Sequence, residues 1–184
     1  MGGQPRKALL IDTAFKLFNE RGYHAAGIDL ILRESGVSKA TLYKHFRSKD
    51  ELILAVLRQR HEQIILMLRE TLMRSEDETV RVLAVFDTLD AWFQSNDFYG
   101  CYFIKASAEY TFSGEAIHDY AAWHKESVKH LLKEFIPDRS PTKRDSLAES
   151  LLLIMDGAIV GAHMRGDRRA AEKGKEIAAA LLAQ

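Results

Sequence analysis

Residues 28–54 read IDLILRESGVSKATLYKHFRSKDELIL, and the spacing within them predicts helix, tight turn, helix, and then a third helix entered through a basic elbow. Ile28, Ile31 and Leu32 give the first helix an apolar face at 3.6-residue spacing. Gly36 follows Ser35 where a helix ends in a left-handed residue, and Ser38 stands as N-cap one step past Val37. The next helix runs about two turns, Lys39 to His45. Leu42 and Phe46, at i and i+4, share its buried side, which leaves Lys39, Ala40, Tyr43 and Lys44 facing outward. Two short helices joined through a Gly-containing turn form a helix-turn-helix, whose second helix enters the DNA major groove.

The elbow adds to this reading. Ser48-Lys49-Asp50-Glu51 has the S-x-x-E form of a capping box, so a new helix starts at Lys49 with its free N–H groups and positive dipole end beside Phe46. A phosphate next to the second helix would meet those donors, and Lys49 would add a charge. Tyr43, Lys44, His45, Arg47 and Lys49 crowd donors into seven residues, which suits contacts to a nucleic-acid backbone. A plain helical hairpin with solvated charges has the same pattern at lower resolution.

The stretch GVSKATLYKHFRSKDEL closely resembles the DNA-binding signature of the TetR family of bacterial one-component regulators, and the match extends upstream through AFKLFNERGYHAAG. The resemblance covers about the first 55 residues. It implies an all-helical homodimer with a small DNA-binding domain and a larger domain that dimerises and binds a small molecule. The family usually opens the first helix of the motif with Thr or Ser. Here Ala26-Gly27-Ile28 stand there, and Gly27 serves as N-cap through its exposed backbone. On this reading Gly27, Tyr43, Lys44, His45 and Lys49 meet the DNA backbone, while Lys39, Ala40 and Thr41 lie closest to base edges.

The composition agrees. In 184 residues Lys+Arg and Asp+Glu are equal at 26 each. Residues 1–50 hold 9 Lys/Arg against 5 Asp/Glu, a net +4, and the rest holds 17 against 21, a net −4. A basic head on an acidic body suits a local DNA footprint. Cys101 is the only cysteine, so there is no disulfide framework and no Cys-based zinc site. No apolar run is expected to reach the roughly 18 residues of a membrane span, and the start lacks a secretory signal. These features predict a cytoplasmic protein with no membrane partner.

Along the chain the pattern is helical throughout, an all-α fold of about nine helices. Residues 1–5 read as a frayed tail. Arg6 to Arg21 is amphipathic through Leu10, Ala14, Leu17 and Phe18, with Gly22 closing it. The helix from Lys49 continues to about Arg74 with Leu52, Val56, Leu57, Ile64, Met67 and Leu68 inward, a lever from the DNA-binding head (residues 1–50) into the second domain (residues 51–184). Ser75-Glu76-Asp77-Glu78 is another capping box, opening a helix near Glu76. Further helices are expected over Cys101–Tyr110 and Glu115–Phe135. Pro137-Asp138-Arg139 end the latter, Ser140 and Pro141 start a long helix to about Met164, and the last covers Arg168–Leu182.

Two constellations mark the second domain. Gly157-x-x-x-Gly161 leaves a smooth strip beside the apolar face of the long helix. With Leu152, Ile177 and Leu181 it is expected to form the dimer interface, a four-helix contact that the family resemblance implies; internal packing satisfies the same spacing. Aromatic residues concentrate between Trp92 and Trp123. Trp92, Phe103, Tyr110, His118, Tyr120, Trp123, Asp156 and His163 are the candidates to line a site for a small apolar or aromatic ligand, although such a stripe also suits plain core. Nothing resembles a nucleophile elbow, a phosphate-cradling Gly loop or a Cys/His cluster. No catalytic residue, metal or cofactor is therefore expected. The sequence points to a ligand-responsive transcriptional regulator, a repressor binding a palindromic DNA operator as a homodimer. The other reading is a carrier or enzyme with a vestigial helix-turn-helix.

Overall fold

Nine α-helices and no strand occur among the described residues, 5–136 and 140–183, in a computed structural model of the chain. The expected tail before Pro5 and the break at Pro137-Asp138-Arg139 lie outside them. The helices are α1 (Arg6–Arg21), α2 (Ile28–Ser35), α3 (Lys39–His45), α4 (Lys49–Leu72), α5 (Glu78–Phe93), α6 (Tyr102–Glu109), α7 (Ala116–Phe135), α8 (Pro141–Arg165) and α9 (Ala170–Leu182). They gather into two compact units. One takes Met1–His61 and Tyr102–Ala122, the other Glu62–Cys101 and Trp123–Gln184.

In the first unit α1 packs on α2 and α3, and Leu10, Ala14, Phe18, Tyr23, Ile31 and Leu42 close a dry core. Gly36 ends α2 at φ 65°, and its N–H donates to the Leu32 carbonyl at 3.0 Å. That left-handed turn lets the chain reverse into α3 within three residues, a conformation that costs Gly least. α6 belongs to this unit, with Tyr102 edge-on to Phe15 at 5.1 Å. On α4, Leu52, Ile53, Val56 and Leu57 are buried.

In the second unit α9 lies against α5 and α8. Val82, Val85, Phe86, Leu89 and Phe93 of α5 meet Leu151, Met155 and Ile159 of α8 and Ala171 and Ala178 of α9 in a buried layer. A Cβ on Gly174 would lie 3.0 Å from the Phe86 ring and 3.3 Å from Ile154, so the phenyl ring occupies the space that a side chain there would need.

Three expectations are corrected here. The cap of α5 is Asp77, whose carboxylate accepts from Val80 N–H at 2.8 Å, and Ser75 turns its hydroxyl to Asp77 N–H instead. The helix starts at Glu78, which puts Asp77 at the N-cap, and the full charge of its carboxylate strengthens that bond. Met67 points outward, 42% exposed, because Leu68 and Leu72 hold the inner line of that turn. Finally, α8 is long and apolar enough by length and composition to cross a membrane, although half of that window is buried inside the protein. It passes that test because apolar residues also stand on its outer side, where Leu153 is 65% exposed.

Candidate nucleic-acid interface

The geometry of the head follows from its caps. Gly27 precedes α2 with extended backbone and no side chain. Ser38 Oγ accepts from Thr41 N–H at 3.2 Å and pairs with the Thr41 hydroxyl at 2.8 Å. This sets the first turn of α3 and engages Thr41 through its backbone and its hydroxyl. With Leu42 and Phe46 buried, the opposite face is fixed: Lys39, Ala40, Tyr43, Lys44 and His45 are all exposed. Tyr43 shows 47% of its surface to water. Two lysines, a histidine and a phenol on one side of a two-turn helix form a donor-rich surface, as phosphate and base edges require.

The elbow closes more elaborately than its S-x-x-E pattern predicts. Ser48 Oγ accepts from Glu51 N–H at 3.2 Å, but the Glu51 carboxylate reaches past Ser48 to Arg47 N–H at 2.6 Å. Lys49 is half-buried, and its ammonium donates to the His24 carbonyl at 3.2 Å. Burial lowers its pKa, with Glu109 and Asp50 pulling the other way. One of its three protons is therefore engaged within the head, and two remain for a phosphate.

The candidate ligand residues divide between the units. In the first, Phe103 is buried, His118 Nδ1 donates to the Tyr110 carbonyl at 2.7 Å, and Tyr120 meets His61 edge-on at 6.2 Å. In the second, Trp92 meets Phe98 edge-on at 4.9 Å, and Phe98 meets the exposed His163 at 6.3 Å. Asp156 is taken by Lys125 at 2.5 Å, and Trp123 is 50% exposed. Of the dimer candidates, Gly157 and Ile177 face solvent, Leu181 is half-buried, and Leu152 and Gly161 are buried. A Cβ on Gly161 would meet the end of the flexible Arg165 side chain at 2.7 Å and lie in ordinary contact with Ala170 at 3.7 Å. Among the described residues no group of three or more His, Cys, Asp or Glu could hold a metal ion.

The sequence reading did not assign Glu109 and placed Tyr110 only among the ligand candidates, yet both grip the head from the C-terminal end of α6. Tyr110 stacks on His24 at 4.9 Å and donates to Asp50 at 3.3 Å. Burial, with Asp50 second, raises its phenol pKa well above the ordinary value. These bonds join residues 60 and more apart in sequence, and no local pattern announces them.

A capped, two-turn helix presenting basic residues, entered from α2 through the Gly36 turn, defines a helix-turn-helix. Residues 10–56 match the sequence profile of the bacterial regulatory proteins of the tetR family. The chain is 42% identical over 82 residues to the transcriptional activator FasR of Mycolicibacterium smegmatis, a match that takes in 45% of this chain but only 37% of FasR. It is 23% identical over 156 residues to IcaR of Staphylococcus epidermidis, a negative regulator of the biofilm operon icaADBC, covering 82% of this chain and 80% of IcaR. The fold superposes on SCO4454, a TetR-family transcriptional regulator from Streptomyces coelicolor, with TM-score 0.89 and 28% identity over 97% of this chain and 94% of that one. The chain thus carries a tetR-type DNA-binding region at residues 10–56, and over its length its fold is similar to that of a TetR-family regulator.

Proposed function

We propose that the protein is a cytoplasmic, ligand-responsive transcriptional repressor that binds a palindromic DNA operator as a homodimer. The observation that carries this reading is the outer face of α3, where Lys39, Ala40, Tyr43, Lys44 and His45 stand clear of a core anchored by Leu42 and Phe46. Thr41 completes the edge nearest the bases. A head with no DNA to read has no need of that face. IcaR acts negatively and FasR is an activator. Occluding a promoter needs only tight binding, so repression is the simpler outcome for a dimer that reads DNA. A gel-shift titration with the DNA flanking the protein's own gene tests the reading, and no discrimination from scrambled duplex would defeat it.

The two kinds of contact in the head separate by mutation. Lys49→Ala should weaken binding to all sequences alike and lower the salt slope by roughly one ion, since its remaining donors face phosphate. Lys39→Ala should cost about 1–3 kcal/mol on the operator and relax preference at one or two base pairs, a guanine being the base whose acceptors a lysine meets. Operator and scrambled duplexes titrated at several salt concentrations read both effects. Equal loss on both duplexes for Lys39→Ala would remove it from the base-reading edge.

The ligand is a small apolar or aromatic molecule received by the aromatic-rich stretch 92–123. Its binding biases α4, one unbroken helix from Lys49 to Leu72, and so alters operator affinity. A panel of apolar and aromatic compounds should contain members that raise the melting temperature in proportion to the logarithm of their concentration. A panel without any such effect counts against small-molecule control.

A further inference from the structure

The loop between α1 and α2 depends for its backbone bonds on a residue far along the chain. The two consecutive amides of Tyr23 and His24 both donate to the Glu109 carboxylate, at 2.8 Å to Oε1 and 2.6 Å to Oε2. His24 returns a bond, its Nε2 donating to the Glu109 carbonyl at 2.9 Å. A Cβ on Gly22 would stand 2.8 Å from Glu109 Oε1, so the carboxylate sits in a hollow that a side chain there would fill. Charge-assisted bonds of this kind are among the stronger ones in a protein. The rest of α6 is tied to the same region. Tyr23 Oη donates to the Tyr102 carbonyl at 3.0 Å, and Lys105 donates to the carbonyl of Asn19 near the end of α1 at 2.6 Å.

The held loop is in turn bonded to the elbow. The carbonyl of His24 accepts from Lys49, and Tyr110, the residue after Glu109, donates to Asp50. One end of α6 thus fixes the entry to α2 and the first turn of α4, the two segments that bracket the helix-turn-helix. By charge alone this arrangement is adverse to DNA, because a carboxylate stands close enough to influence Lys49. Its removal on those grounds would strengthen binding to any duplex. The bonding has the opposite effect.

The geometry points to Glu109 as a positioning residue for DNA reading, holding the α1–α2 loop and the α4 elbow in the arrangement that lets α3 discriminate its operator. This rests on the reading of α3 as the DNA-reading helix. It assigns specificity to an acidic residue that does not touch DNA, and predicts opposite effects on matched and unmatched duplexes.

The test uses the full chain with Glu109→Ala and Glu109→Gln, a duplex selected by the wild-type protein from a random pool, and a scrambled duplex of equal length. Amide exchange at Tyr23 and His24 and the thermal midpoint of the helical signal are read alongside. Glu109→Ala should lower affinity for the selected duplex about tenfold, leave the scrambled duplex unchanged or tighter, and speed exchange at both amides. Glu109→Gln, nearly the same shape and keeping one acceptor oxygen, should fall between, which covers the case in which the alanine variant fails to fold. Equal loss on both duplexes would make Glu109 a general stabiliser and overturn the proposal. So would faster exchange with selected-duplex affinity intact. If the wild-type protein selects no duplex, DNA reading itself has failed, and that result is distinct because exchange at the two amides still reports the latch.

Discussion

Ile177→Glu is expected to yield a folded monomer that no longer binds its operator. Ile177 on α9 is 58% exposed and Leu153 on α8 is 65% exposed, and Gly157 has open space where a Cβ would stand. Exposed apolar residues on the two helices that pack together, α8 and α9, suit a self-complementary contact about a two-fold axis. A carboxylate there meets its own copy across such an axis and stays unpaired, a costly arrangement at an interface centre. The same change at Gly161 would be ambiguous, since that position is buried within the chain and a carboxylate there could disturb the fold itself. One recognition helix supplies too few contacts for a specific complex, so operator affinity should fall by about a hundredfold or more while the helical signal is kept. Sedimentation at micromolar concentration and a duplex titration read both effects, with Leu153→Glu as a second probe. A variant that stays dimeric and bound would show that this face is not the dimer contact.

Asp156→Ala should produce the larger loss of stability. Lys125 and Asp156 meet at 2.5 Å with only 21% and 28% of their side chains exposed. Burial lowers the Lys125 pKa, but the pull of Cys101 and Asp156 outweighs it, and the group ends above the ordinary 10.5. Removing the carboxylate strands a largely buried ammonium. We expect a cost of about 2–3 kcal/mol, below the full range for a sealed pair because water reaches a quarter of each group. The pH dependence has a definite sign. A lysine whose folded pKa is raised contributes stability below its unfolded value, and that contribution fades as pH climbs through the folded value. The gap between wild type and variant should therefore be widest near neutrality and narrow above about pH 10.5. Urea titrations at pH 7 and pH 11 measure it, and a gap that widens with pH would contradict the pairing.

The head was legible because its determinants are local. Gly36, Ser38 and Ser48 each act within four residues, so the boundaries of α2 and α3 and the buried pair Leu42 and Phe46 could be read directly. At the start of α5 two capping residues competed, and only geometry shows that Asp77 prevails over Ser75. The strip Gly157–Gly161 reads as one surface in sequence. In the fold Gly157 faces out and Gly161 faces in, because four residues of helix advance about 400° and the strip straddles a boundary of burial. The contacts of the candidate ligand residues were the least legible. Their neighbours, such as Lys125 for Asp156 and His61 for Tyr120, lie 31 and 59 residues away, a separation that no periodicity encodes. Glu109 was hidden for the same reason.

The missing side chain at Gly174 governs more than local fit. The Phe86 ring fills its place, so α9 rests on α5 at one angular setting only. A slip of a single residue would turn the helix by about 100° and drive the Cβ of Lys173 or Lys175 toward that ring. Ile177, three positions on, inherits this setting and is aimed outward by it. Gly174 therefore works as a keyway: it does not belong to the outer face of α9, yet it fixes the direction in which that face looks. Any filling of it would re-aim the face before it loosened the core.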